Sequence, residues 1–218
     1  MLLYLVRHGD RATKTYNSIE RLDRGLTEKG IAQVRLLAVR LKNEKLGALY
    51  ASPFPRTRQT ASAIAGQTGL KPVFINAFRE LDIGRWNGFM SWELDAAMPG
   101  ERRRWYSKPE SYRFPGGENV RELRARVMPA LRKIIRSHSR VDDRVCIVTH
   151  QAVIQMAVCV LIPGVSLADF HEYAVDKASL TVLETRGRKD GGSRIVLYND
   201  LSYLKKSLRS TRRRRHRR

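Results

Sequence analysis

Short apolar runs alternate with longer amphipathic stretches along this chain, and no feature restricts its fold more. Leu2–Val6 is an apolar run halted by charge and Gly9, the pattern of a buried strand. The polar, irregular stretch 11–25 reads as a loop. Thr27 then reads as an N-cap ahead of Ile31, Val34, Leu37, Ala38 and Leu41, which recur at helical spacing. Ala48–Ala51 is a second short strand. A helix is expected to open at Ser52-Pro53, with Ser as cap and Pro in the first position, and to end at Gly69. Pro72–Ile75 is a third strand.

Residues 77–117 hold no sustained period and are broken by Gly84, Gly88, Pro99, Gly100, Pro109, Pro115 and Gly116. A long excursion of this kind, with short helices, commonly covers a site. Val120, Leu123, Val127, Leu131, Ile134 and Ile135 mark a long amphipathic helix, bent at Pro129. Val145–Thr149 reads as a strand, Ala152–Leu161 as a mostly buried helix, and Glu172–Val175, Leu180–Thr185 and Arg194–Tyr198 as late strands. Strands alternating with helices imply an α/β fold: a three-layer α/β/α sandwich, its central sheet mostly parallel and covered by helices on both faces. Ligands of such sheets sit beyond the carboxyl ends of the strands. His8 and His150 each follow a strand, so both fall on that edge although far apart in sequence.

Composition adds charge. The net charge is +21, and removing the +9 of residues 205–218 (KKSLRSTRRRRHRR) leaves +12 on residues 1–204. A basic surface draws anionic substrates and polyanions. The expected organisation is one domain, 1–204, and a basic, disordered, solvated tail, 205–218. No aromatic residue interleaves with the tail arginines, so base stacking is not indicated. Cys146 and Cys159 lie in apolar runs and read as buried thiols. No apolar stretch is long enough to span a bilayer, and MLLYLV is too short for a signal h-region, so the expected location is cytoplasmic. The His residues do not cluster with acids or Cys at ligand spacing, and neither metal nor cofactor is expected.

Arg7-His8-Gly9 stands where a strand turns into a loop. Arg56, in Ser52-Pro53-Phe54-Pro55-Arg56-Thr57-Arg58, stands in the first turn of a helix, where free N–H groups and a guanidinium fork together suit an anion. Glu80 follows in Arg79-Glu80-Leu81-Asp82, and Thr149-His150-Gln151 joins a strand to a helix. Together, and in this order, these motifs resemble the histidine phosphatase superfamily, in the branch of cofactor-dependent phosphoglycerate mutases and related phosphatases. Pro115-Gly116-Gly117-Glu118 is similar to the loop before the long helix of its phosphatase-like members.

The resemblance implies a metal-independent hydrolysis of small phosphomonoesters. His8 would become phosphohistidine, Arg7, Arg56 and His150 would hold the phosphoryl oxygens, and Glu80 would give and take the proton. The chain departs from the pattern at several positions. Asp10 follows Gly9 in place of Glu. Arg11 partly resembles the acid-phosphatase branch and is either a third phosphate-binding cation or a solvated loop residue. Asn17, a further phosphate-binding candidate, is three residues late. Gln151 replaces the common Gly and either contacts substrate or begins the helix. Asp82 rivals Glu80 as the acid, with pairing to Arg79 or Arg85 as the alternative. His138 and His171 match no motif and read as structural or exposed. Trp86 and Trp92 are core or pocket-wall residues. Arg102-Arg103-Arg104 either binds a second anionic group or faces solvent.

The expected partners are a small phosphorylated substrate, inorganic phosphate as product, a polyanion along the tail, and a second copy in a homodimer. Two other functions are set beside hydrolysis: a mutase returning the phosphoryl group to a sugar acid, and a non-catalytic polyanion-binding protein.

Overall fold

A computed structural model describes residues 1–186 and 192–209. Its six strands are β1 (Leu2–Arg7), β2 (Ala48–Ala51), β3 (Pro72–Phe74), β4 (Arg144–Thr149), β5 (Leu180–Glu184) and β6 (Arg194–Asp200), in the sheet order β3-β2-β4-β1-β5-β6. The first four pair in parallel, while β5 and β6 pair antiparallel at one edge. The helices are α1 (Glu28–Leu41), α2 (Pro55–Thr68), α3 (Ser91–Ala97), α4 (Glu101–Ser107), α5 (Val120–Ser137) and α6 (Gln151–Leu161).

Alternation along the strands sends side chains to two cores. Tyr4, Val6, Cys146 and Val148 meet Leu37, Leu41, Ala61 and Ile64 of α1 and α2 on one face. Leu3, Leu5, Val145 and Ile147 meet Leu131 and Ile134 of α5 and Ile154 and Val158 of α6 on the other. The expected mostly parallel sheet with helices on both faces is therefore the fold. Both cysteines are buried free thiols. Among the described residues no helix is long and apolar enough to cross a membrane.

Register positions the site. Arg7 is paired with Thr149 at the last rung of the β1–β4 ladder, so His8 and His150 leave the sheet side by side. The chain after β1 runs to α1 on one face, and the chain after β4 runs to α6 on the other. A crevice opens where neighbouring strands diverge in this way.

Three local expectations change. The second helix starts at Pro55 with Phe54 as N-cap, so Pro55, not Pro53, takes the first position, and Ser52 stays at the strand end. Residues 172–175 are turn and irregular chain instead of a strand. Their carbonyls serve side chains instead of a ladder: Arg7 donates to the Val175 oxygen and Tyr198 to that of Ala174. The long helix α5 holds Pro129 inside it, where the sequence places it. The described part of the basic segment, 205–209, forms a short turn on α1, where Gln33 donates to the Leu208 carbonyl at 2.7 Å. Arg212–Arg215, Arg217 and Arg218 lie outside the described residues.

Candidate active site

The loop after β1 is pressed against the start of α1. A methyl group on Gly9 would come within 2.8 Å of the Gly30 carbonyl and of Val34, so glycine is what this approach admits. Thr27 caps α1 by accepting from Gly30 and also donates to Asp10, joining loop and helix. Asp10 is further paired with Lys177, so it braces the loop and is not among the residues that line the cavity.

His8 is buried, and its Nδ1 lies 2.8 Å from its neighbour Gly9's carbonyl oxygen. A carbonyl only accepts, so Nδ1 carries the proton and the lone pair of the neutral ring is on Nε2. Burial, then the charges of Arg56 and Arg7, hold the His8 pKa well below the usual histidine value, which keeps the ring neutral.

Arg56 is 1% exposed. It donates to Asp23 at 2.8 Å and to His150 Nδ1 at 3.1 Å. The backbone N–H of Arg56, at the start of α2, also approaches Asp23 at 3.3 Å. Its buried Nε has no hydrogen-bond partner among the described residues. Because a guanidinium only donates, His150 accepts through Nδ1 and gives its Nε2–H to the Ser52 hydroxyl at 2.8 Å. The rings of His8 and His150 lie 5.2 Å apart. Burial, with Arg56 next, also depresses the His150 pKa.

Arg7 Nη1 donates to Gln151 Oε1 at 2.9 Å. Arg11 is held by Thr13 and by the Thr15 carbonyl, and burial beside Arg56 lowers its pKa to about 10. Glu80 accepts from the backbone N–H of Leu81 and from that of Ala152 in the first turn of α6. Asn17 spends its amide on its own loop, donating to Leu22 and accepting from Ile19.

These side chains surround a cavity of about 220 Å³, lined by Arg7, His8, Arg11, Asn17, Arg56, Glu80 and Gln151 and completed by Trp86, Trp105, Tyr106, Phe114, Phe170 and His171. The sequence-derived set thus converges, with one difference. His150 does not line the cavity, and both its ring nitrogens are engaged by Arg56 and Ser52, so it stands behind Arg56. Asp82 is not at the cavity either. It accepts from Ser18 and Gly84 and so shapes its own loop, with no bond to Arg79 or Arg85. Arg102 pairs with Asp95 and Arg104 with Glu101, and neither lines the cavity. Trp92 is exposed, whereas Trp86 is both core and wall. His138 bonds Tyr50, as a structural histidine would.

Sequence reading missed Asp23, the buried partner of Arg56, which nothing in a polar loop distinguishes from a solvated carboxylate. It missed His171, which lines the cavity and donates from Nε2 to the Trp105 carbonyl at 3.1 Å. It also missed Arg126, one arginine among several on α5. Its guanidinium bonds the carbonyls of Ala77, Arg79 and Glu80 and both oxygens of Glu118, fastening the Glu80 segment to the helix.

A neutral histidine facing a cavity with three guanidiniums and a carboxylate, at the carboxyl edge of a mostly parallel sheet, is the layout of a phosphoryl-transfer enzyme. The family model for the histidine phosphatase superfamily, branch 1, matches residues 3–201, and the chain belongs to that superfamily. It is a phosphatase, a phosphoric monoester hydrolase of that group. It is 33% identical over 192 residues to phosphoserine phosphatase 1 of Hydrogenobacter thermophilus, covering 86% of this chain and 88% of the relative. It is 35% identical over 133 residues to a probable phosphoglycerate mutase of Yersinia pestis, covering 59% of this chain and 60% of that one. Among solved structures, mycobacterial glucosyl-3-phosphoglycerate phosphatase in complex with VO3 superposes with a TM-score of 0.82 at 24% identity, covering 91% of this chain and 98% of that chain. The Bacillus stearothermophilus protein YhfR superposes with a TM-score of 0.81 at 25% identity, covering 93% and 98%.

Proposed function

We propose that this chain hydrolyses small phosphomonoesters through a phosphohistidine formed on His8. The observation that carries the reading is the His8 ring itself: Nδ1–H is fixed on the Gly9 carbonyl, and the residue faces the cavity shared with Arg7, Arg11, Arg56 and Glu80. Nε2 attacks phosphorus as the ester P–O bond breaks. The positive charge that develops on the ring is shared through Nδ1–H with the Gly9 oxygen. Arg7 and Arg56, which both line the cavity, hold the equatorial oxygens. A fixed donor of this kind is worth about 3 kcal/mol at the transition state.

Glu80 protonates the leaving alkoxide, which would otherwise depart poorly, and then takes the proton of the water that attacks the phosphohistidine. The N–P bond breaks, inorganic phosphate leaves, and His8 is restored. Arg11 is a third cation at the cavity, and Asn17 shapes the loop that carries it. His150 acts through Arg56, whose guanidinium it orients. The cavity volume, about 220 Å³, suits a small molecule. His8→Ala is expected to abolish phosphate release from p-nitrophenyl phosphate with chelator present, and wild-type-like turnover would refute the reading.

A mutase would use the same residues, and the identity to a probable phosphoglycerate mutase favours it over part of the chain. Assay of 3-phosphoglycerate with a bisphosphoglycerate primer separates the two. Efficient interconversion identifies the mutase, and release of inorganic phosphate identifies the hydrolase.

A further inference from the structure

The cavity lining is of two kinds. At one side stand the phosphoryl-binding groups. The remainder includes the rings of Trp86, Trp105, Tyr106, Phe114 and Phe170, beside His171 and the amides of Gln151 and Gln155. These rings form a connected set. Trp86 and Phe114 are 4.8 Å apart, Trp105 and Phe114 4.8 Å, and Trp105 and Phe170 5.9 Å. Tyr106 joins the set through His171, at 5.0 Å. Among the described residues, Arg7, Arg11 and Arg56 are the only Lys or Arg side chains that line the cavity, and each belongs to the phosphoryl side. The arginines of α4, which carries Trp105 and Tyr106, lie away from it.

We infer that the enzyme selects phosphomonoesters whose alcohol portion is uncharged and apolar, an aromatic or alkyl group lying against this ring wall. The inference rests on the proposed hydrolysis and names its substrate class. A flat hydrocarbon gains contact with the rings and loses water. Among the described residues no guanidinium or ammonium lines that part of the cavity to meet a second carboxylate or phosphate, and burial of an unpaired anion is costly. Gln151 and Gln155 offer the wall only neutral amides: Gln151 accepts from Arg7, and Gln155 donates to the Phe170 carbonyl.

The test compares primary alkyl esters, so that leaving-group chemistry stays nearly constant. The ratio kcat/KM is measured for benzyl phosphate, methyl phosphate, phosphoserine and 3-phosphoglycerate. Benzyl phosphate is expected to exceed phosphoserine and 3-phosphoglycerate by roughly tenfold or more, the scale of discrimination an apolar pocket supplies. Tyr106→Ala, at a position 44% exposed and so remote from folding, is expected to lower the benzyl-to-methyl ratio, with Tyr106→Phe restoring it. Equal or better turnover of phosphoserine or 3-phosphoglycerate, with benzyl phosphate still hydrolysed, overturns the substrate class and leaves the hydrolytic reading standing. Failure to hydrolyse any of the four overturns both.

Discussion

At the scale of single residues, two buried imidazoles share a cluster of guanidiniums, and their electrostatics link chemistry to stability. The folded protein resists protonation of His8 and His150, whose pKa values lie well below the usual 6.5, with burial the first cause and Arg56 the second. The unfolded chain takes up those protons near pH 6.5. The stabilising contribution is therefore fully present above pH 6.5 and is lost as pH falls below it, by up to about 1.4 kcal/mol per pH unit for each histidine. Urea denaturation between pH 7.5 and 5 should show that decline, and it should shrink in His8→Gln. His8, Arg7, Arg56 and Glu80 were legible because each sits beside a local marker: a strand end, a helix start, a family motif. Asp23 and His171 were not, because their surroundings consist of residues 33 and 66 positions away.

At the scale of elements, the segment carrying Glu80 has little regular structure, and α5 holds it. Arg126 and Glu118 make a clamp whose other jaws are backbone carbonyls, and the same carboxylate accepts from the Asp82 N–H. Arg126→Gln is expected to loosen Glu80 and so to impair proton donation. Hydrolysis of an alkyl phosphate should then fall by about 10²-fold or more, and that of p-nitrophenyl phosphate much less, since nitrophenolate leaves without a proton. Steady-state kinetics on both substrates check this, and equal losses would point to general misfolding instead. Apolar period predicted α1 and α5 well, because burial of one stripe is a local property, and the continuous apolar run 152–161 marked α6. The expected strand at 172–175 failed because an apolar pattern does not reveal whether the backbone has a neighbour to pair with. Arg7 and Tyr198 claim its carbonyls instead. The Pro53 start failed because two prolines in Ser-Pro-Phe-Pro can each open a helix, and β2 with its loop decides which one does.

At the scale of the whole molecule, the described end of the chain returns to the active-site loop. The Leu208 carbonyl accepts from Gln33, whose other amide atom accepts from the backbone N–H of Asp10, two residues after His8. Gln33 is fully buried, so removal of residues 205–218 would leave its N–H orphaned at a cost of about 1–3 kcal/mol. Removal of 210–218 alone should spare it. Calorimetry of the two truncations is expected to show a lower Tm for the first than for the second. By itself the sequence determined the α/β class, the edge of the sheet at which the cavity lies and several of the residues that meet there, since strand ends and helix starts are written in neighbouring residues. Tertiary structure alone decided that His150 stands behind Arg56, that Arg126 grips a loop 46 positions away, and that aromatic rings wall the cavity. Those outcomes depend on which distant groups compete for one buried donor, acceptor or surface, and only the folded arrangement resolves that competition.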